Sequence, residues 1–181
     1  MANLPIPTLT APTVGAYDTG AWWNANVYSP LTYGMNPPIF CATQTLAQSL
    51  ASSAWTTITL DTEQHDTYGG HSTTTNSSRY TAQIAGWYTV CGVTAWAANS
   101  TGARGSRLHV NGAIVQGSGQ LIATISGSTI VGVSTPTRAV FLNAGDYVEL
   151  AGFQSSGAAL NTGVASGNDL ASALFVAWAH V

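Results

Sequence analysis

One stretch limits the fold more than any other: residues 79–98, RYTAQIAGWYTVCGVTAWAA. From Trp87 onward it holds Trp87, Tyr88, Val90, Val93, Thr94 and Trp96, β-branched and aromatic groups that suit a pleated, buried surface. Apolar groups fall on both alternating faces, so this strand requires cover on both sides. The residues before it alternate Tyr80, Ala82 and Ile84 against Thr81 and Gln83. Between them, Ala85-Gly86 reads as a tight corner, where glycine takes a positive φ without steric cost. The stretch is therefore expected to be two antiparallel strands meeting at a glycine, with the rest of the chain supplying the cover.

The other residues fit that demand. Apolar residues make up 45% of the 181, enough for a core, while charged residues are only 6%, against ~25% in an average soluble domain. Lysine is absent; the cations are Arg79, Arg104, Arg107 and Arg138. The surface must then be Ser, Thr, Asn, Gln and Gly, with few ion pairs and a tendency to associate. A net charge of −3 with no basic cluster argues against a nucleic-acid partner, because such affinity rests on phosphate neutralisation. No run approaches the ~20 apolar residues of a membrane-spanning helix, and no membrane insertion is expected. The start of the chain has no basic region followed by a long apolar run, so it does not read as a secretory leader.

Residues 1–38 read as an arm. MANLPIPTLTAPTV is proline-rich and aperiodic. Asp18 or Thr19 could cap a short helix through AWWNANVY, which Pro30 is expected to end. Trp22, Trp23, Tyr28 and Tyr33 are too large for this segment to bury alone and are assigned to partner binding. Asn36-Pro37-Pro38 sets the boundary with a second unit, residues 39–181. There, strand patterns (Ile39–Leu46, Ala54–Leu60, the central stretch, 106–110, 137–142, 147–153 and 170–181) recur with turns between them, and no amphipathic helix intervenes. Residues 61–78 read as a polar loop, and Asn111-Gly112 as a hairpin turn. That pattern is an all-β sandwich or barrel.

Four segments in order resemble the complement C1q/tumour-necrosis-factor jelly roll: AGWYTV (85–90), RLHVNGAIV (107–115), VFLNAGDYVEL (140–150) and ASALFVAWAHV (171–181). The resemblance covers about residues 39–181. It implies a ten-stranded sandwich in a compact homotrimer, with the closing strand near the threefold axis; Leu174, Phe175 and Trp178 are accordingly assigned to the trimer interface. The family's usual glycine in the last strand is missing, and the loop 61–78 does not match, so the calcium sites of some members do not carry over. A second resemblance concerns the leader. DTGAWWNANVYSPLTYGMNPPIF (18–40) is similar to segments that precede such domains in structural proteins of bacteriophages infecting actinobacteria, with Pro30 as the departure.

The chemistry is sparse. His65, Asp66 and His71 share one loop; they are a metal set or, more simply, solvated loop residues. Asp61, Glu63 and Asp66 form a small acidic group with no spacing that fixes calcium binding or glycoside hydrolysis. Cys41 and Cys91 are two buried thiols or a disulfide pair. Trp55, Trp87 and Trp96 are a sugar-stacking platform or core and interface anchors. Arg104 and Arg107 pair with carboxylates or hold a ligand, and Asp146 is expected to accept hydrogen bonds in its turn. No nucleophile elbow, Walker or dinucleotide motif occurs. The expectation is a non-enzyme without metal or cofactor. It is read as a trimeric tail-fibre or tail-tip (minor tail) component of a phage virion, assembled in the host cytoplasm. The arm would hold other virion proteins, and the exposed head would meet a host-surface glycan or protein. The alternative is a capsid decoration protein attached through the same arm.

Overall fold

The computed structural model describes residues 7–10, 19–124, 129–165, 167 and 169–181. Most of the proline-rich arm (1–6 and 11–18), with Tyr17 and the candidate cap Asp18, lies outside them. Thr19 does cap: its Oγ1 accepts the N–H of Trp22 at 3.2 Å. The helix then runs further than expected, as α1 (Gly20–Trp23), a π-helical turn (Asn24–Tyr28) and α2 (Ser29–Met35). Pro30 does not end it. Proline lacks an N–H and its ring crowds the carbonyl four residues back. The wider π turn just before it relieves that crowding, and Pro30 opens α2 at a position where a missing N–H is tolerated.

After Pro38 the period-2 patterns become strands: β1 (Ile39–Thr43), β2 (Ser49–Leu50), β3 (Ala54–Thr57), β4 (Thr62–Asp66), β5 (Arg79–Thr81), β6 (Gly86–Trp96) and β7 (Ala103–Val110). They continue with β8 (Ala113–Ile114), β9 (Gln120–Ala123), β10 (Val131–Ser134), β11 (Arg138–Leu142), β12 (Tyr147–Gln154), β13 (Leu160–Asn161) and β14 (Ala173–His180). The first sheet runs β10-β6-β14-β1-β4, with β11 also on β6. The second runs β3-β12-β7-β8, with β5 also on β12 and β9 also on β7. Three lanes are thus interrupted strands. Every pairing is antiparallel, and the arrangement is a jelly-roll sandwich.

Two expectations need correction. The central stretch is not a hairpin: β5 pairs β12 in the second sheet and β6 lies in the first. The chain crosses between sheets over residues 82–85, and Ala82 N–H bonds to Asp146 O at 2.8 Å. The corner glycine is required, since Gly86 has φ 154° and an added Cβ would strike Trp178 Nε1 and His180 O. Residues 61–78 are not all loop. Their start is β4, an exposed polar edge strand paired with β1. Polar side chains conceal such a strand because an edge has no need of an apolar face.

The core lies between the sheets. Phe40, Tyr88, Val90, Trp96, Leu142, Leu174 and Val176 come from the first sheet or its continuation, and Tyr80, Leu108, Val148 and Leu150 from the second. Each such side chain contributes roughly 1.5–3 kcal/mol of burial. Phe40 stacks on Tyr80, with centroids 4.8 Å apart. Burial pushes the Tyr88 hydroxyl up to about 12; it donates to Ile84 O at 2.7 Å and so ties the corner to β6. The Asn111-Gly112 turn forms as expected, both residues at positive φ (51° and 77°) between β7 and β8.

Candidate functional site

The outer face of the first sheet is apolar and uncovered in the protomer. On β6, Tyr88 and Val90 point into the core, so Trp87, Thr89, Cys91 and Val93 point out. Register places Phe141 beside Trp87, Ala139 and Ala177 beside Thr89, Phe175 beside Cys91, and Ala173 beside Val93. Trp87 is 40% exposed, Phe141 48% and Phe175 36%, and the rings of Trp87 and Phe141 meet edge to face at 5.8 Å. In the middle of this face, where β10 gives way to β11, a depression of about 380 Å³ opens among Cys91, Val93, Thr135, Ala173 and Phe175. A large contiguous apolar surface on a sheet marks a site of association.

The residues assigned to the trimer interface divide between the two faces of β14. Phe175 lies on the outer face. Leu174 is fully buried in the core, because side chains alternate along a strand, so it has no surface to offer a neighbour. Trp178 is half-buried, with its indole N–H reaching Ala85 O at 3.4 Å. Phe141 and Ala139, which sequence reasoning did not assign, complete the outer face with Trp87 and Ala177. The signal was in β6 itself, whose two faces are both apolar.

The arm residues also divide. Tyr33 is buried, edge-on to Trp178 at 5.1 Å, and burial raises its hydroxyl pKa. It fixes the helix to its own domain rather than reaching a partner. Tyr68 Oη donates to Asn36 O and Thr67 Oγ1 to Pro37 O, reinforcing the joint. Trp22 is half-buried, while Trp23, Tyr28, Leu31 and Met35 are exposed.

The polar candidates are engaged locally. The His71 side chain is buried, with Nδ1 2.8 Å from Glu63 Oε1 and Nε2 3.1 Å from Ser77 O, and Asp66 accepts the His71 N–H. Among the described residues no three His, Cys, Asp or Glu side chains come together as a metal set. Burial works to raise the Asp61 pKa, but hydrogen bonds from Thr45, Leu46 and Thr62 prevail and hold it below the ordinary carboxylate value. The acidic group is therefore divided: Asp61 pins the 45–46 turn, while Glu63 and Asp66, both on β4, hold His71. Asp146 accepts from Asn111 Nδ2 and from Asn143 N–H, which lowers its pKa.

The cysteines flank Phe175 in one row, Cys41 and Cys91 each being its register partner. Two strand spacings separate them by roughly 9–10 Å, beyond disulfide reach, and both are free. Burial, with Cys91 nearby, pushes the Cys41 thiol up. The tryptophans form no common platform: Trp96 is in the core, Trp87 on the outer face of the first sheet and Trp55 on that of the second. Arg107 lies over Trp55, 4.1 Å from the ring, and its Nε donates to His109 Nε2 at 2.8 Å. Arg104 is buried and donates to the carbonyls of Asn99, Thr101 and Ala103. The expected carboxylate partners are not found among the described residues: carbonyls take Arg104, and Trp55 and His109 take Arg107.

No protein-family model and no curated protein matches the chain. Solved structures do. The globular domain of zebrafish complement 1qA is 16% identical, with a TM-score of 0.50 over 78% of this chain and 96% of that one. Murine APRIL at pH 5.0 is 10% identical, with a TM-score of 0.54 over 79% and 99%. At such identities the likeness is one of architecture, and with the sheet order above it establishes that this chain has the C1q/tumour-necrosis-factor-like jelly-roll fold.

Proposed function

We propose that the protein is a homotrimeric structural component of a phage virion, a tail-fibre or tail-tip piece whose head meets the host surface. The observation that carries the self-association is the uncovered face of Trp87, Phe141, Phe175, Ala139 and Ala177. It lies on the sheet that contains the closing strand, which in the resembled family sits near the threefold axis. The virion assignment rests on the leader resemblance at 18–40 and on the lysine-free, low-charge composition. The exposed helix residues Trp23, Tyr28, Leu31 and Met35 are the attachment surface for other virion proteins, since aromatic anchors dominate interfaces.

Light scattering on the purified protein should give three times the chain mass at micromolar concentration; a single-chain mass would refute the trimer. Antibody labelling of particles in electron micrographs should mark the tail, whereas label on the head would favour the decoration role. Removal of residues 1–28, which spares Tyr33 on Trp178, should leave a folded trimer that fails to join particles.

A further inference from the structure

A second concavity lies apart from the apolar face. The 69–76 segment, β5 with the crossing that follows it, and the 145–147 turn enclose a polar cleft of about 480 Å³. Ser72, Thr75, Asn76, Gln83 and Tyr147 line it together with His71, and Arg79 is its one guanidinium, with no carboxylate in the lining. Arg79 is held from two sides. Its Nε donates to Oε1 of the buried Glu149 at 3.1 Å, and its guanidinium lies 4.1 Å from the centre of the Tyr147 ring. Glu149 is held in turn by Ser78 Oγ at 2.8 Å. Among the described residues nothing takes the two terminal nitrogens of Arg79. The walls are set as well: His71 is fixed between Glu63 and Ser77, and the 145–147 turn is tied to Asn111 through Asp146 and Tyr147.

A guanidinium with Nε engaged and its plane fixed presents its terminal nitrogens as a fork, which matches a carboxylate in two parallel bonds. The surrounding hydroxyls and amides are neutral groups suited to a ligand rich in hydroxyls, and the volume suits a small molecule. With one guanidinium, already paired through Nε with Glu149, and no second arginine or lysine, the cleft fits a singly charged ligand better than a phosphate. We infer that this cleft binds a carboxylate-bearing sugar residue, with its acid on Arg79 and its hydroxyls on Ser72, Thr75, Asn76 and Gln83. The inference rests on the host-surface part of the function above, but not on the trimer.

The test is a calorimetric titration of the full chain with methyl glucuronide, methyl galacturonide, methyl mannuronide and N-acetylneuraminate, beside methyl glucoside, acetate and inorganic phosphate. At least one acidic sugar should bind about tenfold or more tightly than all three controls, the scale of a lost charge-assisted pair. Asn76→Asp and Gln83→Glu, at exposed positions, should each weaken that binding several-fold without changing the melting temperature. Arg79→Lys, which keeps the charge but not the fork, should weaken it about tenfold. No acidic sugar bound, a neutral sugar or phosphate bound as well, or indifference to the three substitutions would each overturn the inference. Light scattering on the same samples reports the oligomer separately, so failure of the cleft and failure of the trimer are told apart.

Discussion

The two sheets turn similar faces inward and unlike faces outward. On the second sheet, aromatic surface is covered by the chain's own cations: Arg79 over Tyr147 and Arg107 over Trp55. Beside them, His109 and Glu149 are directly opposed across β7 and β12. On the first sheet, Trp87, Phe141 and Phe175 have no such cover. Three of the chain's four arginines lie on strands of the second sheet, and the fourth, Arg138, is on β11 with its neighbour in register, Val90, pointing inward. In a chain with so few charges their placement is informative: one face is finished within the protomer, and the other is open in it.

The comparison breaks most visibly at Phe175. Phe175→Asp would put a charge into the proposed interface, a loss of several kcal/mol per contact, and should yield single chains by light scattering with an unchanged β-sheet circular dichroism spectrum. Asp61→Asn, which leaves the hydrogen-bond donors of Thr45 and Leu46 facing a weaker acceptor, should lower stability by roughly 1.5–3 kcal/mol in denaturant melts without altering assembly. Arg107→Ala, on the finished face, should cost about 1–2 kcal/mol through the exposed Trp55 ring and leave the proposed trimer intact. If it dissociated the trimer instead, the contrast between the faces would be wrong.

The smallest effect is in pH. Burial, then the nearby Arg107, holds the His109 pKa below its ordinary 6.5, with Glu149 opposing. As pH falls below 6.5 the unfolded chain takes up this proton before the folded one does, so His109's contribution is full above 6.5 and is lost as pH falls through its folded value. His109→Gln should flatten the stability profile just below pH 6.5. Asp61 and Asp146, both held low, act further down: their contribution is present above the ordinary carboxylate value and disappears at stronger acid.

What could be read from the sequence was what is decided locally. The Asn111-Gly112 turn and the Asp146 turn are fixed by residues a few positions apart, and both formed. The helix was read too short because the π turn that accommodates Pro30 has no compositional mark. The hairpin at 79–98 was misread because pairing is a distant choice: Arg79–Thr81 takes β12, far along the chain, and alternation does not reveal a strand's partner. β4 was hidden by its polarity. For the site, the two apolar faces of β6 led to the expectation that the chain itself would cover both, yet the outer one is open in the protomer, and Leu174 and Phe175, assigned together, face opposite ways. Tyr33 could not be told from the other arm aromatics, since only the fold brings Trp178 to it. The polar cleft was invisible because its walls come from three separated segments.

The position of β14 bears on how the chain comes to be folded. It lies between β1 and β6, in the middle of the first sheet, so a strand near residue 40 waits for one near residue 175. Closing so long a loop precedes any gain from the pairing, which makes such topologies slow. During synthesis the half-built sheet would present two unsatisfied inner edges at once, those of β1 and β6. A chain interrupted before Ala173 would keep both open, and the segment best shaped to fill the gap would be the β14 of another copy. Partial chains are therefore expected to poison co-expressed full-length protein by strand exchange, well before any question of a finished interface arises.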